Sequence, residues 1–401
     1  MNEATLNYVR QHANDDVRLL ALRGSKDEEV DLTLALQQIQ GRQTARTKLP
    51  SWSVIDSILY PPHLNMEQCS SEQTARYKAN ICRRLLEAYH NTTSLIDLTG
   101  GFGVDFAWMS EAFVGATYVE RNSELCAISS NNLHVLGRQV DVLNADGTDY
   151  LHKVCHATMI FLDPARRDHH GARTYGIGDC TPNVLDMKEE LLQKADYVML
   201  KLSPMLDWRK AVCDLGEKYV KEVHIVSVQN ECKELLIVLQ KENDQQPVVH
   251  CVNDDVDFVV PSGDFPMKNV FFSPQTSFFL YEPNASIMKA GCFEAVSSVF
   301  SVQQLAQNSH LFVSDQQVTG FPGRSFQITA ISSMNKQELK KLTQTISQAN
   351  ISVRNFPLSV AELRKKLKLG DGGDTYIFAT TFADGQRVLI ICNKLNTVNS
   401  N

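Results

Sequence analysis

The sequence contains ten cysteines but no pair of them in a CxxC arrangement. Because zinc sites and disulfide frameworks rest on closely spaced ligand pairs, neither is expected here. The only local group of His and Cys residues is His152, Cys155 and His156. It has no second ligand pair elsewhere in the sequence, so we expect no metal. Most of the thiols are expected to be buried as small apolar side chains.

Long hydrophobic runs are also missing. No stretch reaches the length of about 18 apolar residues that a membrane span needs. The first residues lack the basic segment and apolar core of a secretory signal. We therefore expect a cytoplasmic protein with no membrane partner, and its 401 residues predict two to four domains.

Basic charge is scarce overall, since the formal net charge is −7, but it is unevenly distributed. From residue 331 onward there are ten basic and only five acidic residues. Four of the basic residues are close together, namely Arg364, Lys365, Lys366 and Lys368. A basic module on an acidic body indicates a polyanionic partner, although an ordinary solvated helix face explains the same pattern equally well.

The middle of the chain alternates between apolar, β-rich runs and helical patterns. Strands are predicted at 94–98, 116–120, 140–145, 157–163 and 196–202. Such alternation predicts a parallel, doubly wound α/β sheet. The runs VKEVHIVSVQ and ELLIVLQ follow in close succession, which predicts an antiparallel pair at the end of this sheet.

The first strand leads into a glycine-rich loop within LIDLTGGFGVDFAW, residues 95–108. Gly101 and Gly103 fit a dinucleotide fingerprint, but the third glycine position is occupied by Phe106. The loop alone is therefore compatible with several nucleotides.

Carboxylates follow four successive strands of the predicted sheet. They are Asp97, Glu120, Asp146 and Asp163. Because an open α/β sheet binds ligands at the carboxyl ends of its strands, the four predict one site, in which Glu120 accepts hydrogen bonds from ribose hydroxyls. Each carboxylate taken alone is equally well explained as a strand-end cap or surface acid.

This arrangement resembles the class I S-adenosylmethionine-dependent methyltransferases over residues 70–240. The resemblance implies that Asp97, Gly101 and Gly103 line the methionine side of the cofactor. It implies that Glu120 binds the ribose and Asp146 the adenine amine. The full set of predicted cofactor-binding residues is Asp97, Gly100, Gly101, Gly103, Asp105, Glu120, Arg121, Asp146, Gly147 and Asp163.

The methyl acceptor is predicted to meet the segment FLDPARRD, residues 161–168. Many methyltransferases of amino groups carry an acid or amide, two prolines and an aromatic residue at this place. This chain keeps Asp163 and Pro164 but continues with Ala165 and Arg166, which puts exocyclic-amine chemistry in doubt. Asp163 remains a candidate for orienting an acceptor or taking a proton. The predicted catalytic residues are Asp163, Pro164, Arg166 and Lys201, the last on the same rim.

Further substrate contacts are predicted around this segment. Arg166 and Arg167 are candidates for pairing with substrate phosphate, with an ion pair to Asp168 as the alternative. Tyr175 lies in a long Gly-rich loop that is a candidate lid. The predicted substrate-binding residues are Arg166, Arg167, Tyr175, Arg364, Lys365, Lys366 and Lys368.

Five strings point to a narrower resemblance: SSEQTARYKA, DLTGGFGVD, FLDPARRD, LKLSP and YEPNASIMKAG. They resemble a bacterial group of such methyltransferases with a ferredoxin-like segment and a C-terminal THUMP-like domain. The resemblance implies structured RNA as substrate, because THUMP domains belong to RNA-modifying enzymes.

The predicted organisation has four parts: a helical region at 1–65, a Rossmann-like methyltransferase domain at 66–242, a β-rich or ferredoxin-like region at 243–328, and a basic THUMP-like α+β domain at 329–401. The predicted function is S-adenosylmethionine-dependent methylation of a base nitrogen in tRNA or rRNA. Two alternatives stay open. One is a methyltransferase of a small molecule or protein with a purely structural tail, and the other is a non-catalytic RNA-binding protein with a relic cofactor site. The oligomeric state stays open as well.

Overall fold

The computed structural model describes residues 1–89, 92–166, 176–263, 265, 278–306 and 308–395, without the side chains of Arg166 and Thr345. By compactness the chain divides into two units. The first comprises Met1–Lys221 and Leu236–Pro247, and the second comprises Glu222–Leu235 and Val248–Asn401. None of the helices in the described ranges is both long and apolar enough to span a bilayer.

The N-terminal region is helical, as the apolar spacing predicts. Its helices are α1 (Glu3–Gln11), α2 (Val17–Arg23), α3 (Leu32–Lys48), α4 (Pro50–Ser53) and α5 (His63–Gln68). Asp31 begins α3 by accepting a hydrogen bond from the backbone N–H of Leu34. Val9, Leu20, Ala35 and Ile39 form a small core between α1, α2 and α3, which holds these short helices together.

The α/β region follows a long helix and consists of strands that alternate with helices. In chain order these elements are α6 (Glu72–Leu85), β1 (Ser94–Asp97), α7 (Val104–Met109), β2 (Gly115–Glu120), α8 (Ser123–Val135), β3 (Asp141–Asn144), α9 (Gly147–Leu151), β4 (Ala157–Leu162), β5 (Ala165–Arg166), β6 (Cys180–Thr181), α10 (Val184–Lys194), β7 (Ala195–Leu202), α11 (Trp208–Leu215), β8 (Val220–Val228), β9 (Glu231–Gln240), β10 (Val248–Asn253) and β11 (Val256–Val260). The strands form a sheet in the order β11-β10-β8-β9-β7-β4-β1-β2-β3, while β5 and β6 pair separately.

The central strands β3, β2, β1, β4 and β7 run parallel, which confirms the doubly wound sheet. Every residue of β4 is buried, as expected for a strand that is covered on both faces. The pairing at one edge of the sheet was not predicted from the sequence. Strand β10 pairs parallel with β8, and β11 pairs antiparallel with β10, so the first two strands of the predicted linking region extend the large sheet.

The C-terminal part is a second, smaller α+β structure. Its elements are β12 (Phe279–Pro283), α12 (Ala285–Ala290), α13 (Phe293–Phe300), β13 (Gln303–Gln304), β14 (Phe312–Ser314), β15 (Gly323–Ser333), α14 (Lys336–Thr345), β16 (Asn350–Arg354), α15 (Val360–Leu367), β17 (Thr375–Thr381) and β18 (Arg387–Lys394). The strand order is β13-β14-β12-β15-β18-β17-β16. Strands β17 and β18 pair as a hairpin across Asp384 and Gly385, as predicted.

Both faces of this second sheet carry apolar cores. Leu342 of α14 and Leu363 and Leu367 of α15 pack with Ile377 and Leu389 of the sheet in one core. The other core contains Leu280, Phe326 and Phe378. Two helices on one face and apolar packing on the other confirm the predicted small α+β fold.

Candidate active site

The predicted site residues of the large sheet gather along one rim. Asp97 ends β1, Glu120 ends β2, Asp146 follows β3 and Asp163 follows β4, while Lys201 lies near the end of β7. Because these strands are parallel neighbours, their carboxyl ends lie at the same edge of the sheet. The chain therefore brings together the residues that strand-end reasoning predicts.

The glycine loop after β1 has a shape that larger residues do not adopt easily. Gly101 and Gly103 have positive φ values of 58° and 75°. Gly100 lies against the ring of Tyr118, where an added Cβ atom would be 2.3 Å from Cε2. At Gly147 an added Cβ would lie 2.0 Å from the carbonyl oxygen of Leu98. Both positions therefore require glycine. The backbone of Gly100 lies against the ring of Tyr118, and the backbone of Gly147 lies against that of Leu98.

Glu120 fixes the loop from the neighbouring strand. Its Oε2 accepts from the N–H of Gly101 at 2.9 Å, and its Oε1 accepts from the N–H of Asn122 at 2.7 Å. The carbonyl oxygen of Gly101 in turn accepts from the hydroxyl of Ser129 at 3.1 Å and from that of Tyr118. The loop is thus held by the end of β2 and by α8. The ribose contact of Glu120 stays a prediction.

Asp146 is the N-cap of α9. Its Oδ1 accepts from the N–H groups of Thr148 at 2.8 Å and Asp149 at 3.4 Å. Arg121, next to Glu120, has an exposed side chain. The contacts of both residues with a cofactor stay predictions.

Thr99 joins two of the predicted carboxylates. Asp97 accepts from the backbone N–H of Thr99 at 2.9 Å, and its Oδ1 lies 3.4 Å from Thr99 Oγ1. The same Oγ1 accepts from the backbone N–H of Asp163 at 2.7 Å. The pKa of Asp97 is raised to about 8, mainly by burial and also by the nearby charges of Asp105 and Asp163, while the hydrogen bonds from Thr99 act to lower it. Asp97 is therefore a buried carboxyl group whose pKa lies close to physiological pH.

A charged network lies beside this pair. Lys201 Nζ is 2.5 Å from Asp163 Oδ2 and 3.4 Å from Asp105 Oδ2. Asp105 also pairs with Lys78 at 3.1 Å and accepts from Ser70 Oγ at 2.7 Å. Burial alone would raise the pKa of Asp105, but Lys78 and Lys201 hold it below its ordinary value. The side chain of Asp105 is thus enclosed by two cations, and a contact with cofactor stays a prediction for it.

Sequence reasoning did not single out Ser70, Lys78 or Thr99. The signal was present, however, because each lies in one of the strings that carry the family resemblance. SSEQTARYKA contributes Ser70 and Lys78, and DLTGGFGVD contributes Thr99. Together with Asp163 from FLDPARRD and Lys201 from LKLSP, these strings meet in one network.

The remaining predicted residues belong either to the basic C-terminal module or to the segment around Asp163. Arg364 is held within its own module, since it donates to the carbonyls of Ala349 at 3.0 Å and Gly370 at 2.6 Å and pairs with Asp371 at 2.6 Å. Lys365, Lys366 and Lys368 are exposed. Arg167, Tyr175 and the side chain of Arg166 lie outside the described residues, and Pro164 is buried next to Asp163.

His152, Cys155 and His156, the local group of His and Cys residues, do not share a partner. His152 pairs with Glu190 at 3.0 Å and His156 with Asp196 at 3.0 Å, while Cys155 is exposed. Each imidazole is thus bound to a separate carboxylate.

Comparison with known proteins supplies the family. Residues 279–322 match a ferredoxin-like domain family, and residues 323–394 match the THUMP domain-like family. A solved structure from Porphyromonas gingivalis W83, whose assignment as a methyltransferase is itself inferred, is 32% identical, with a TM-score of 0.85. The alignment covers 98% of each chain. The chain belongs to this family of class I S-adenosylmethionine-dependent methyltransferases. The cofactor of the family is S-adenosylmethionine, as predicted.

More distant members of the fold are also similar. A protein from Listeria monocytogenes, whose assignment as a class I S-adenosylmethionine-dependent methyltransferase is itself inferred, is 11% identical over 61% of this chain and 91% of that chain, with a TM-score of 0.39. A 16S rRNA methyltransferase from T. thermophilus, solved with AdoMet and guanosine, is 12% identical over 46% of each chain, with a TM-score of 0.35. No curated protein matches the sequence. The family assignment rests on the P. gingivalis protein.

The rim fits the cofactor of the family. The loop at Gly101 and Gly103 leaves no Cβ atoms between the backbone and a ligand. Asp97 and Asp163 place carboxylates beside this loop, which suits a cofactor that carries a positive sulfonium and a positive ammonium. Glu120 and Asp146 stand at the next two strand ends, where an open sheet holds the sugar and base of a nucleoside.

Proposed function

We propose that this chain transfers a methyl group from S-adenosylmethionine to a base nitrogen in structured RNA, either tRNA or rRNA. The observation that carries the proposal is the Asp163 carboxylate, which is 40% exposed at the rim while Lys201 holds it from behind at 11% exposure. An anchored, accessible carboxylate beside the cofactor loop suits an acceptor that must be positioned and deprotonated.

The predicted cofactor contacts form one part of the proposal. Gly100, Gly101, Gly103 and Asp97 hold the methionine part, and Asp105 and Asp163 border it. A second group holds the nucleoside: Glu120 and Arg121 at the ribose, and Asp146 and Gly147 at the adenine. When bound, the cofactor supplies a methyl group on a positively charged sulfur, which makes the methyl carbon electrophilic.

The acceptor chemistry centres on Asp163. Its carboxylate accepts a hydrogen bond from an N–H of the base and takes the proton that the nitrogen gives up when it is methylated. Lys201, 2.5 Å away, pairs with this carboxylate and fixes its orientation. Pro164 borders the acceptor. The predicted substrate contacts of Arg166, Arg167 and Tyr175 remain part of the proposal, although Arg167, Tyr175 and the side chain of Arg166 lie outside the described residues. Since no aromatic residue follows Pro164, the base stacks on another part of the site.

The THUMP-like domain supports RNA as the substrate. Exposed lysines are found on both helices that cover its sheet or directly after them, at positions Lys336, Lys340, Lys341, Lys365, Lys366 and Lys368. The acids of these helices are occupied at the helix starts. Glu338 accepts from the N–H of Ser333 at 2.5 Å, and Glu362 accepts from the N–H of Ser359 at 2.8 Å. The outward helix faces therefore combine exposed lysines with glutamates that accept backbone hydrogen bonds, which suits contact with phosphates.

The test compares RNA from a strain that lacks this gene with RNA from its parent. Purified protein and methyl-labelled cofactor should label tRNA or rRNA from the deletion strain but not RNA from the parent, which is already modified. Mass spectrometry of the digested nucleosides should identify one methylated base. The Asp163→Asn variant should bind the cofactor and fail to label RNA. If the protein binds cofactor but both RNA pools remain unlabelled and identical in nucleosides, RNA is the wrong substrate class.

A further inference from the structure

Two histidines and a glutamate come together on strands β8 and β10, and none of them takes part in the proposed reaction. They are Glu222, His224 and His250, and their candidate ligand atoms all lie within 4.8 Å of one another. Glu222 and His224 are two residues apart on one strand, so their side chains leave the same face of the sheet. His250 is the direct partner of His224 in the parallel register of β8 and β10.

One distance within the cluster is that of two ligand atoms around a single cation. His224 Nε2 lies 3.1 Å from Glu222 Oε2. The rings of His224 and His250 stack with centroids 4.4 Å apart and planes at 15°. Ligand atoms at zinc bond lengths of about 2.0–2.1 Å in a tetrahedron are about 3.3 Å apart. The histidine and glutamate of β8 are thus already spaced as two such ligands. His250 joins them when its ring turns out of the stack, because a bound ion lies in the plane of each imidazole that binds it.

Asp257 supplies the partner that a metal-bound histidine requires. Its Oδ2 lies 2.9 Å from His250 Nδ1. When a carboxylate accepts from Nδ1–H, the neutral imidazole carries its lone pair on Nε2, which is the form that binds a metal. A carboxylate behind a histidine is the recurring second layer of protein zinc sites.

All three side chains of the cluster are buried. The exposed fractions are 4% for Glu222, 0% for His224 and 9% for His250. We propose that Glu222, His224 and His250 bind one Zn²⁺ ion that links β8 to β10, with Asp257 orienting His250. Two imidazoles and one carboxylate form a ligand set that zinc uses with a water in the fourth position.

The experiment uses the full-length chain with its affinity tag removed. Zinc is stripped with a chelator, and the protein is titrated first with Co²⁺ and then with Zn²⁺. We expect one Co²⁺ per chain, seen by visible absorption, its displacement by one equivalent of Zn²⁺, and a higher melting temperature with Zn²⁺. The Asp257→Asn variant should keep one site but bind the metal roughly 10–100-fold more weakly.

Ligand variants and a matched control complete the test. His250→Gln should abolish Co²⁺ absorption, whereas a double variant at the exposed histidines, His152→Gln with His156→Gln, should bind as the parent does. If His250→Gln fails to fold, the Asp257→Asn measurement decides. The proposal is overturned if the folded parent takes up no Co²⁺ or Zn²⁺, as expected when Glu222 and His224 share only a proton. It is equally overturned if Asp257→Asn, or a folded His250→Gln, binds the metal as tightly as the parent.

Discussion

Lys201 Nζ lies between two carboxylates, 2.5 Å from Asp163 Oδ2 and 3.4 Å from Asp105 Oδ2. Asp105 is also paired with Lys78, whose side chain is fully buried, whereas Asp163 faces the rim. The buried carboxylate of Asp105 is thus paired with a second cation, Lys78, and Lys201 pairs with the exposed carboxylate of Asp163. This arrangement distinguishes a structural part, Lys78 with Asp105, from a part that can act on an acceptor.

Replacing Lys201 by Met should therefore damage methyl transfer more than cofactor binding. Without the ammonium, Asp163 loses its orientation and its charge partner, and we expect the transfer rate to fall about 10²-fold, within the range of acid–base effects. Cofactor affinity, measured by calorimetry, should change little, and Lys201→Arg should recover part of the rate. Lys210→Met is the matched control, because Lys210 pairs with Asp214 on the surface. Equal losses of cofactor affinity and rate in Lys201→Met would contradict the assignment.

Asp97 leads to a pH-dependent prediction. Its pKa is raised to about 8 by burial, so the free protein holds this side chain largely protonated at neutral pH. If the cofactor ammonium lies beside Asp97, as we propose, binding favours the carboxylate and releases a proton below that pKa. Cofactor affinity should then increase from pH 6 towards 8 and level off above. Calorimetry in two buffers of different ionisation enthalpy measures the released proton, which should be absent in Asp97→Asn.

The same raised pKa has a consequence for the stability of the free protein. A carboxyl whose folded pKa is raised contributes its stability at low pH, below its unfolded value of about 4, and loses it as the pH rises through about 8. Asp97→Asn should therefore gain melting temperature relative to the parent at pH 8.5 but not at pH 4. A constant difference across this range would show that Asp97 is ionised throughout.

Gly147 tests the close packing behind the rim. An added Cβ would lie 2.0 Å from the carbonyl oxygen of Leu98, which is backbone and has little room to yield. Gly147→Ala should lower the free energy of unfolding by about 1–3 kcal/mol and weaken cofactor binding, because Leu98 adjoins Asp97 and Gly147 adjoins Asp146. Gly115→Ala is the control, since an added Cβ there meets no atom within 4 Å. Urea unfolding curves measure both, and equal stabilities would refute the packing argument.

The carboxylates at the strand ends could be predicted from the sequence, but the side chains that contact them could not. Asp97, Glu120 and Asp163 could be predicted because apolar runs end at them and parallel strands share an edge. Lys78 could not, since a lysine on a helix is ordinarily exposed, whereas this one is buried and pairs with Asp105. His224 and His250 are far apart in sequence, so their meeting depends on the parallel pairing of β8 with β10.

Arg364 shows the same limit in the basic module. Composition places it with Lys365, Lys366 and Lys368 as a candidate for RNA contact, but three bonds within the module use its guanidinium. A charge pattern gives the sign of a surface and not the partner of each side chain. For this reason the lysines, and not Arg364, are the positions at which to test docking.

Replacing Lys365, Lys366 and Lys368 by Gln should weaken RNA binding without affecting the cofactor. Each phosphate contact that is lost reduces the salt dependence, so the slope of log affinity against log salt should decrease by roughly 2–3. The matched control replaces Lys26, Lys153 and Lys218, which are also exposed. Fluorescence anisotropy with labelled RNA from the deletion strain measures both triple variants between low and moderate salt. If the two variants lose affinity equally, the effect is one of net charge and the THUMP-like helices are not the docking surface.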